Sequence, residues 1–347
     1  MPESAINQEA PTIIADDLAG ACDCAVEFLG TGGRVRVWTG TGPLPSADKH
    51  HTELAGRFEL DAVNTESRHR KPAEAAGITR AAAVYARRIG SRIVLKKTDS
   101  AFRGNYVTEL VTTISEIRPA TVVLAPAIPD YGRTTVDGVQ HIHGVPVAES
   151  SYATDPRSPV RVSRVAELLR DSSLKLTGVP LAALRTRSIQ IKSEKAPRLY
   201  IVDGETNADL DLTAELFTRE EIGAAAGRRD ERTADGRDGP VLFVGGQGIA
   251  AAIARRMVAA RPMDNHPSSE RDAGPREEPQ NLAPRGAALI VCGSLHPRSR
   301  RQLEQVLKRA KMSAVAIDST PDSDVLRSLR RDAEAMGAAF LTTATDQ

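Results

Sequence analysis

The chain has 347 residues, 41% of them apolar and only 3% aromatic, with a formal net charge of +1 at neutral pH. That length favours two domains, and the composition calls for cores of Ala, Val, Leu and Ile. The interspersed charges form no basic stripe. No apolar run is long enough to span a bilayer, no charged-then-apolar leader opens the chain, and three cysteines without a Cys-x-x-Cys pair suggest neither a disulfide framework nor a zinc site; a cytoplasmic protein without nucleic-acid or membrane partners is therefore expected.

The run Thr12–Ala15 reads as a strand that ends on Asp16 and Asp17, with helical spacing following at Ala21, Ala25, Phe28 and Leu29. Two carboxylates thus sit at a strand tip and a helix mouth. The plain reading is helix capping; the functional one is a proton acceptor for a substrate hydroxyl beside a group that orients a cation. A second strand is expected at Arg34–Trp38. A third, around Ala62 and Val63, ends near Arg68, whose guanidinium matches a carboxylate bidentately. Pro72–Ile89 reads as an amphipathic helix.

The chain is organised around the next strand and its turn. Ile93, Val94 and Leu95 lead into Lys96, Lys97, Thr98, Asp99, Ser100, Ala101, Phe102 and Arg103, then Gly104 and Asn105, before helical spacing resumes at Tyr106. In open α/β sheets ligands bind beyond the carboxyl ends of strands, where helix N-termini offer free N–H groups.

Thr121–Ala125 is another strand, and it opens into a Pro- and Gly-rich loop that carries Arg133. A hairpin is expected around His143 and Gly144; its alternating His141 and His143 lack a third ligand nearby. Further on, a helix is expected at Val162–Leu169, strands at Val179–Leu184 and Leu199–Asp203, and a helix at Leu210–Ala226. A strand at Val241–Val244 precedes Gly245, Gly246, Gln247 and Gly248 and a helix at Ile249–Ala260. That is a second place for a phosphate, although it has neither P-loop nor dinucleotide spacing. Residues 261–286 read as a mobile insertion. Another strand at Ala288–Val291 leads into Cys292, Gly293 and Ser294 and a helix at Pro297–Ala310, followed by a short strand at Val315–Ile317 and a helix at Asp322–Gly337.

Three runs occur in order: Ile14–Ala21; Lys97–Asn105; and Ala125–Ala127 with Gly132–Thr135, Gly144–Val147, Asp155–Pro156 and Pro159–Val160. Together they resemble the four-carbon acid sugar kinases, the threonate, erythronate and 3-oxo-tetronate kinase family. The resemblance covers nearly all of the first part of the chain and continues more faintly through Val244–Ala250 and Val291–Pro297. It implies an α/β architecture of two domains with mainly parallel sheets, with substrate and nucleotide in the cleft between them. The domains would be residues 1–160 for the acid sugar, a connector at 161–196, and a nucleotide-binding-like domain at 197–347.

The implied activity is ATP- and Mg²⁺-dependent phosphorylation of a hydroxyl on a small sugar acid. Asp16 or Asp17 would lie at that hydroxyl, with Arg68, Lys97, Asp99, Ser100, Arg103 and Gly104 at the substrate. Gly245, Gly246, Gly248, Gly293 and Ser294 would face the nucleotide. Ala19 and Ala101 stand where the family commonly has Thr. Family members also continue beyond the last residue of this chain with a Gly-Gly-Asp-Thr-like segment, so a shortened nucleotide domain is expected. The rival expectation is a non-catalytic or repurposed relative that binds a sugar acid but lacks a complete ATP site. Oligomeric state is left open, with a homo-oligomer compatible.

Overall fold

The structure is a computed structural model that describes residues 11–31, 35–39, 44, 60–191, 198–218, 240–260, 288–292, 305, 308, 314–316 and 338–342. The chain divides into two units, Met1–Met263 and Asp264–Gln347.

In the first unit, β1 (Thr12–Ala15) runs into α1 (Leu18–Ala25), followed by β2 (Val35–Trp38), β3 (Leu60–Asn64), α2 (Pro72–Arg88), β4 (Ile93–Lys97), α3 (Tyr106–Ile117) and β5 (Thr121–Ala125). Three short antiparallel strands come next: β6 (Arg133–Val136), β7 (Val139–Ile142) and β8 (Val145–Pro146). After them come α4 (Val165–Leu168), β9 (Lys175–Val179), α5 (Leu181–Arg185), β10 (Arg198–Val202), α6 (Asn207–Phe217), β11 (Val241–Gly245) and α7 (Gln247–Ala260).

The main sheet has the order β2-β3-β1-β4-β11-β5-β10-β9, and all its pairs are parallel. Parallel strands buried on both faces read as continuous apolar runs, which is what β1, β5 and β11 are. Successive residues go to opposite layers. Ile13, Leu95 and Phe243 pack with α1, α6 and α7 residues such as Ala21, Phe217 and Ile249. Ile14, Val94 and Val244 pack with α2, α3 and α4 residues such as Ala82, Leu110 and Val165. The chain leaves β1 toward β3 on one side and returns to β4 on the other. That reversal leaves a crevice beyond the carboxyl ends of β1 and β4, the place where such sheets bind ligands.

Several expectations change here. The anticipated domain boundary near residue 160 lies inside the first unit. β9 and β10 extend the same sheet, and β11 inserts between β4 and β5, hydrogen-bonded to both, so no seam exists at that point. The strand anticipated at Val179–Leu184 is instead β9 followed by α5, with Pro180 at the helix N-cap. The helix anticipated at Val162–Leu169 is the single turn α4. Arg133–Thr135, anticipated as part of a loop, belongs to strand β6, which pairs antiparallel with β7, and Thr135 also bridges Gly204. The insertion at 261–286 and the helices anticipated at Pro297–Ala310 and Asp322–Gly337 lie outside the described residues, apart from residues 305 and 308.

Lys96 and Lys97 diverge across the pleat of β4. Lys96 is fully buried, with Nζ 2.8 Å from Glu109 of α3 and donating to the Lys97 carbonyl at 3.0 Å. Lys97 takes the other face, toward the end of β1.

The second unit contributes a parallel sheet of β12 (Ala288–Cys292), β14 (Ala338–Thr342) and β13 (Ala314–Ala316), with β14 in the middle. β14 was not anticipated. No helix among the described residues is long and apolar enough to cross a membrane.

Candidate functional site

The tips of β1 and β3 are tied before any side chain reaches a ligand. The Ala15 carbonyl accepts from Thr65 N–H at 2.9 Å and Thr65 Oγ1 at 2.7 Å, and the Asp16 carbonyl accepts from Ser67 N–H at 3.0 Å. This places Arg68 against the acid pair. Its Nε and Nη2 donate to the two carboxylate oxygens of Asp16 at 2.7 and 2.9 Å, and Nη2 also lies 2.9 Å from Asp17 Oδ1. Lys97 Nζ stands 3.9 Å from Asp16 and 3.6 Å from Asp17, close enough for charge attraction but longer than a hydrogen bond.

The two acids differ. Asp16 is buried, and burial alone would raise its pKa; the hydrogen bonds and charge of Arg68, with Lys97 and Lys96 behind, hold it below the usual carboxylate value. Asp17 is 28% exposed in its side chain and caps α1, accepting from Gly20 N–H at 3.1 Å. The capping reading is therefore correct for Asp17, and it leaves the carboxylate facing the crevice. A Cβ at Gly20 would come within 2.5 Å of Asp17 Oδ1 and Lys97 Nζ, so a larger residue there would displace these two side-chain ends.

The turn after β4 is a second charge-matched knot. Buried Asp99 accepts from Arg103 Nε at 2.9 Å and Nη2 at 2.8 Å, and from the backbone N–H groups of Ala101 and Arg103 at 3.2 Å each. Burial pushes the Asp99 pKa up, but Arg103, then Arg68 and Lys97, hold it well below the usual range. Arg103 Nη1 reaches Asp155 at 3.0 Å, and its guanidinium lies 5.1 Å from the Tyr152 ring centre. Ser100 Oγ accepts from Arg133, which also donates to Tyr152 Oη at 2.9 Å; Gln140 donates to the Ser100 carbonyl at 3.1 Å. Gly104 has φ +82°, and a Cβ there would lie 2.7 Å from Arg68 Cγ and its carbonyl oxygen. Asn105 then holds the β3 loop, donating to the carbonyls of Ser67 at 2.9 Å and Arg70 at 2.8 Å.

Asp16, Asp17, Arg68 and Lys97 thus converge, and Asp99, Ser100, Arg103 and Gly104 adjoin them. Beside them opens a pocket of about 620 Å³ lined by Arg68, Arg70, Arg103, Arg157, His69 and Asn105, among others. Sequence reasoning did not pick out Tyr152, Asp155 and Arg157 as site residues. They come from a segment some fifty residues downstream, and no periodicity marks them.

Gly245, Gly246 and Gly248 lie at the end of β11, where their lack of a side chain serves packing. A Cβ at Gly245 would collide with the Ala125 carbonyl oxygen; at Gly246 it would lie 2.9 Å from Ile128 Cδ1, and at Gly248 2.5 Å from the Ala127 carbonyl oxygen. The structure thus gives these glycines a packing role. Gly293 and Ser294 lie outside the described residues. Among the described residues no cluster of three or more His, Cys, Asp or Glu side chains could hold a metal ion.

A family model described as sugar-binding N-terminal domain matches residues 12–253. The chain is 28% identical over 313 residues to a D-threonate kinase of Salmonella typhimurium, covering 88% of this chain and 63% of that protein. It is 31% identical over 244 residues to a D-threonate kinase of Bordetella bronchiseptica, covering 70% of this chain and 54% of that protein. The chain therefore spans between half and two thirds of the length of these relatives. Among solved structures, a Bordetella bronchiseptica protein described as a domain of unknown function with bound citrate, a domain-swapped dimer, matches with TM-score 0.55 and 26% identity over 98% of this chain and 74% of that one.

Proposed function

We propose, from the premise that this chain belongs to the four-carbon acid sugar kinase family and carries its sugar-binding N-terminal domain, that it binds a four-carbon sugar acid beyond β1 and β4 and takes part in ATP-dependent phosphorylation of one of its hydroxyls. The observation that carries this reading is the convergence of Asp16, Asp17, Arg68 and Lys97 beside an arginine-lined pocket. A polyhydroxy acid needs a hydroxyl acceptor and a cationic seat, and the two adjoin here.

The roles divide by environment. Asp16, kept ionised by Arg68, serves as the anchor that fixes the guanidinium. Asp17 is the proton acceptor: it is accessible, its Oδ1 is oriented by Gly20 N–H, and Arg68 limits its swing. Lys97, not locked into a short hydrogen bond, is free to turn toward oxygens gathering charge at the reacting hydroxyl. Asp99 and Ser100 shape the floor, with Arg103 and Arg133 fixing them.

ATP with Mg²⁺ would supply the phosphoryl group and neutralise its charge. The glycines at 245–248 are closed in by the Ala125 and Ala127 carbonyls and Ile128, and the other expected nucleotide contacts, Gly293 and Ser294, fall outside the described residues. A second reading is a sugar-acid binder that does not itself turn over, supported by the close packing around Gly245, Gly246 and Gly248. Purified chain incubated with Mg-ATP and D-threonate or D-erythronate should release ADP. Calorimetric binding of either acid without ADP release would select the second reading, and no binding of either acid would remove both.

A further inference from the structure

Four guanidiniums line the pocket, and three of them are matched by acids. Arg68 faces Asp16 and Asp17, Arg103 faces Asp99 and Asp155, and Arg70 pairs with Glu74 at 2.9 Å. Arg157 makes no ion pair among the described residues. We infer that Arg157, more than Arg68 or Arg103, is the residue that receives the carboxylate of the substrate and sets the preference for an acid over a neutral polyol. This rests on the sugar-acid reading above and assigns one end of the substrate within it.

The chemistry follows from counting charge. A guanidinium already shared between two carboxylates carries little net attraction for a third, and its N–H groups are largely committed. Arg157 is exposed on the pocket wall, with its fork unspent. Its backbone is nevertheless held: Asp155 Oδ1 accepts from the N–H groups of Arg157 at 3.0 Å and Ser158 at 2.8 Å, while Asp155 Oδ2 accepts from Arg103. One carboxylate therefore ties the turn that presents Arg157 to the loop that forms the floor. His69, also on the wall, reports the local potential. Partial burial, and then the charges of Arg68, Arg157 and Arg103, lower its pKa, with Asp155 opposing.

The test is calorimetry on the full chain with D-erythronate, D-threonate and the uncharged polyol erythritol. Arg157→Ala should weaken binding of the acids about 10- to 100-fold and leave erythritol unchanged, because a hydrogen bond between charged groups is lost. Arg157→Lys should fall between, since it keeps the charge but not the fork. Arg161→Ala, at an exposed arginine nearby that does not line the pocket, should bind like wild type. Unchanged acid affinity in Arg157→Ala, or equal weakening in Arg161→Ala, would overturn this assignment while leaving the sugar-acid reading intact. Wild type that binds neither acid would overturn the reading itself.

Discussion

Two strand–turn–helix connections lie side by side in the main sheet, after β4 and after β11, and Thr98 N–H donates to the Gly245 carbonyl at 2.9 Å to join them. In outline they are alike: a strand of the main sheet, a short turn, a helix. The β4 turn is built of charges answered from elsewhere, by Asp155 from a distant loop and by the Arg68 backbone packed on Gly104. The β11 turn is built of absent side chains, whose space is taken by the Ala125 and Ala127 carbonyls and Ile128. Glycine density thus marks the packed turn and not the charged one. What marks the chemical turn is polar groups arriving from several strands at once.

The contrast can be broken by substitution. Arg103→Ala should have the largest effect on stability, about 3–5 kcal/mol in urea unfolding at neutral pH, because it strips buried Asp99 of its bidentate partner. The folded pKa of Asp99 is depressed, so its contribution is present above the unfolded value near 4 and is lost as pH falls through the folded value. The gap between wild type and variant should therefore narrow below about pH 4. A variant as stable as wild type at pH 7 would mean that the turn is not held by charge. Asp17→Asn should lower ADP release about 10²- to 10⁴-fold with a melting temperature close to wild type, since Asn caps a helix as well as Asp does. Gly245→Ala should cost about 1–3 kcal/mol through overpacking, with acid affinity kept in the folded protein. Full stability with lost nucleotide binding would instead make that turn chemical. Gly77→Ala is the smallest change: exposed in α2 with open space around it, it should gain about 0.5–1 kcal/mol in the same unfolding experiment.

Much of this was legible in the sequence, because local signals carry it. The apolar runs of β1, β4, β5, β10 and β11 announced a buried parallel sheet, and each polar tip announced a carboxyl end. Asp16, Asp17, Arg68 and Lys97 were readable as candidates for the same reason. What escaped was non-local. The insertion of β11 between β4 and β5 depends on a crossover that no window of residues encodes, so the second half of the unit was assigned to another domain. The capture of Arg103 by Asp155, and the exposure of Arg157 that follows, depend on an Asx turn meeting a loop fifty residues earlier. The glycines of residues 245–248 carried a signal with two meanings, and the packing one is visible only in distances to neighbouring carbonyls.

The divergence of Lys96 and Lys97 bears on how the strand finds its alignment. If β4 slid by one residue in one direction, Leu95 would meet Glu109 in the interior and leave that carboxylate with no cation. If it slid by one in the other, Thr98 would replace Lys97 beside Asp16 and Asp17. The native alignment satisfies both acid sites, and a one-residue slip would also turn the apolar residues to the wrong layers. The adjacent lysines therefore act as a two-sided proofreader of strand register. Misalignment of the central strand is penalised from below the sheet and from above it before any ligand arrives.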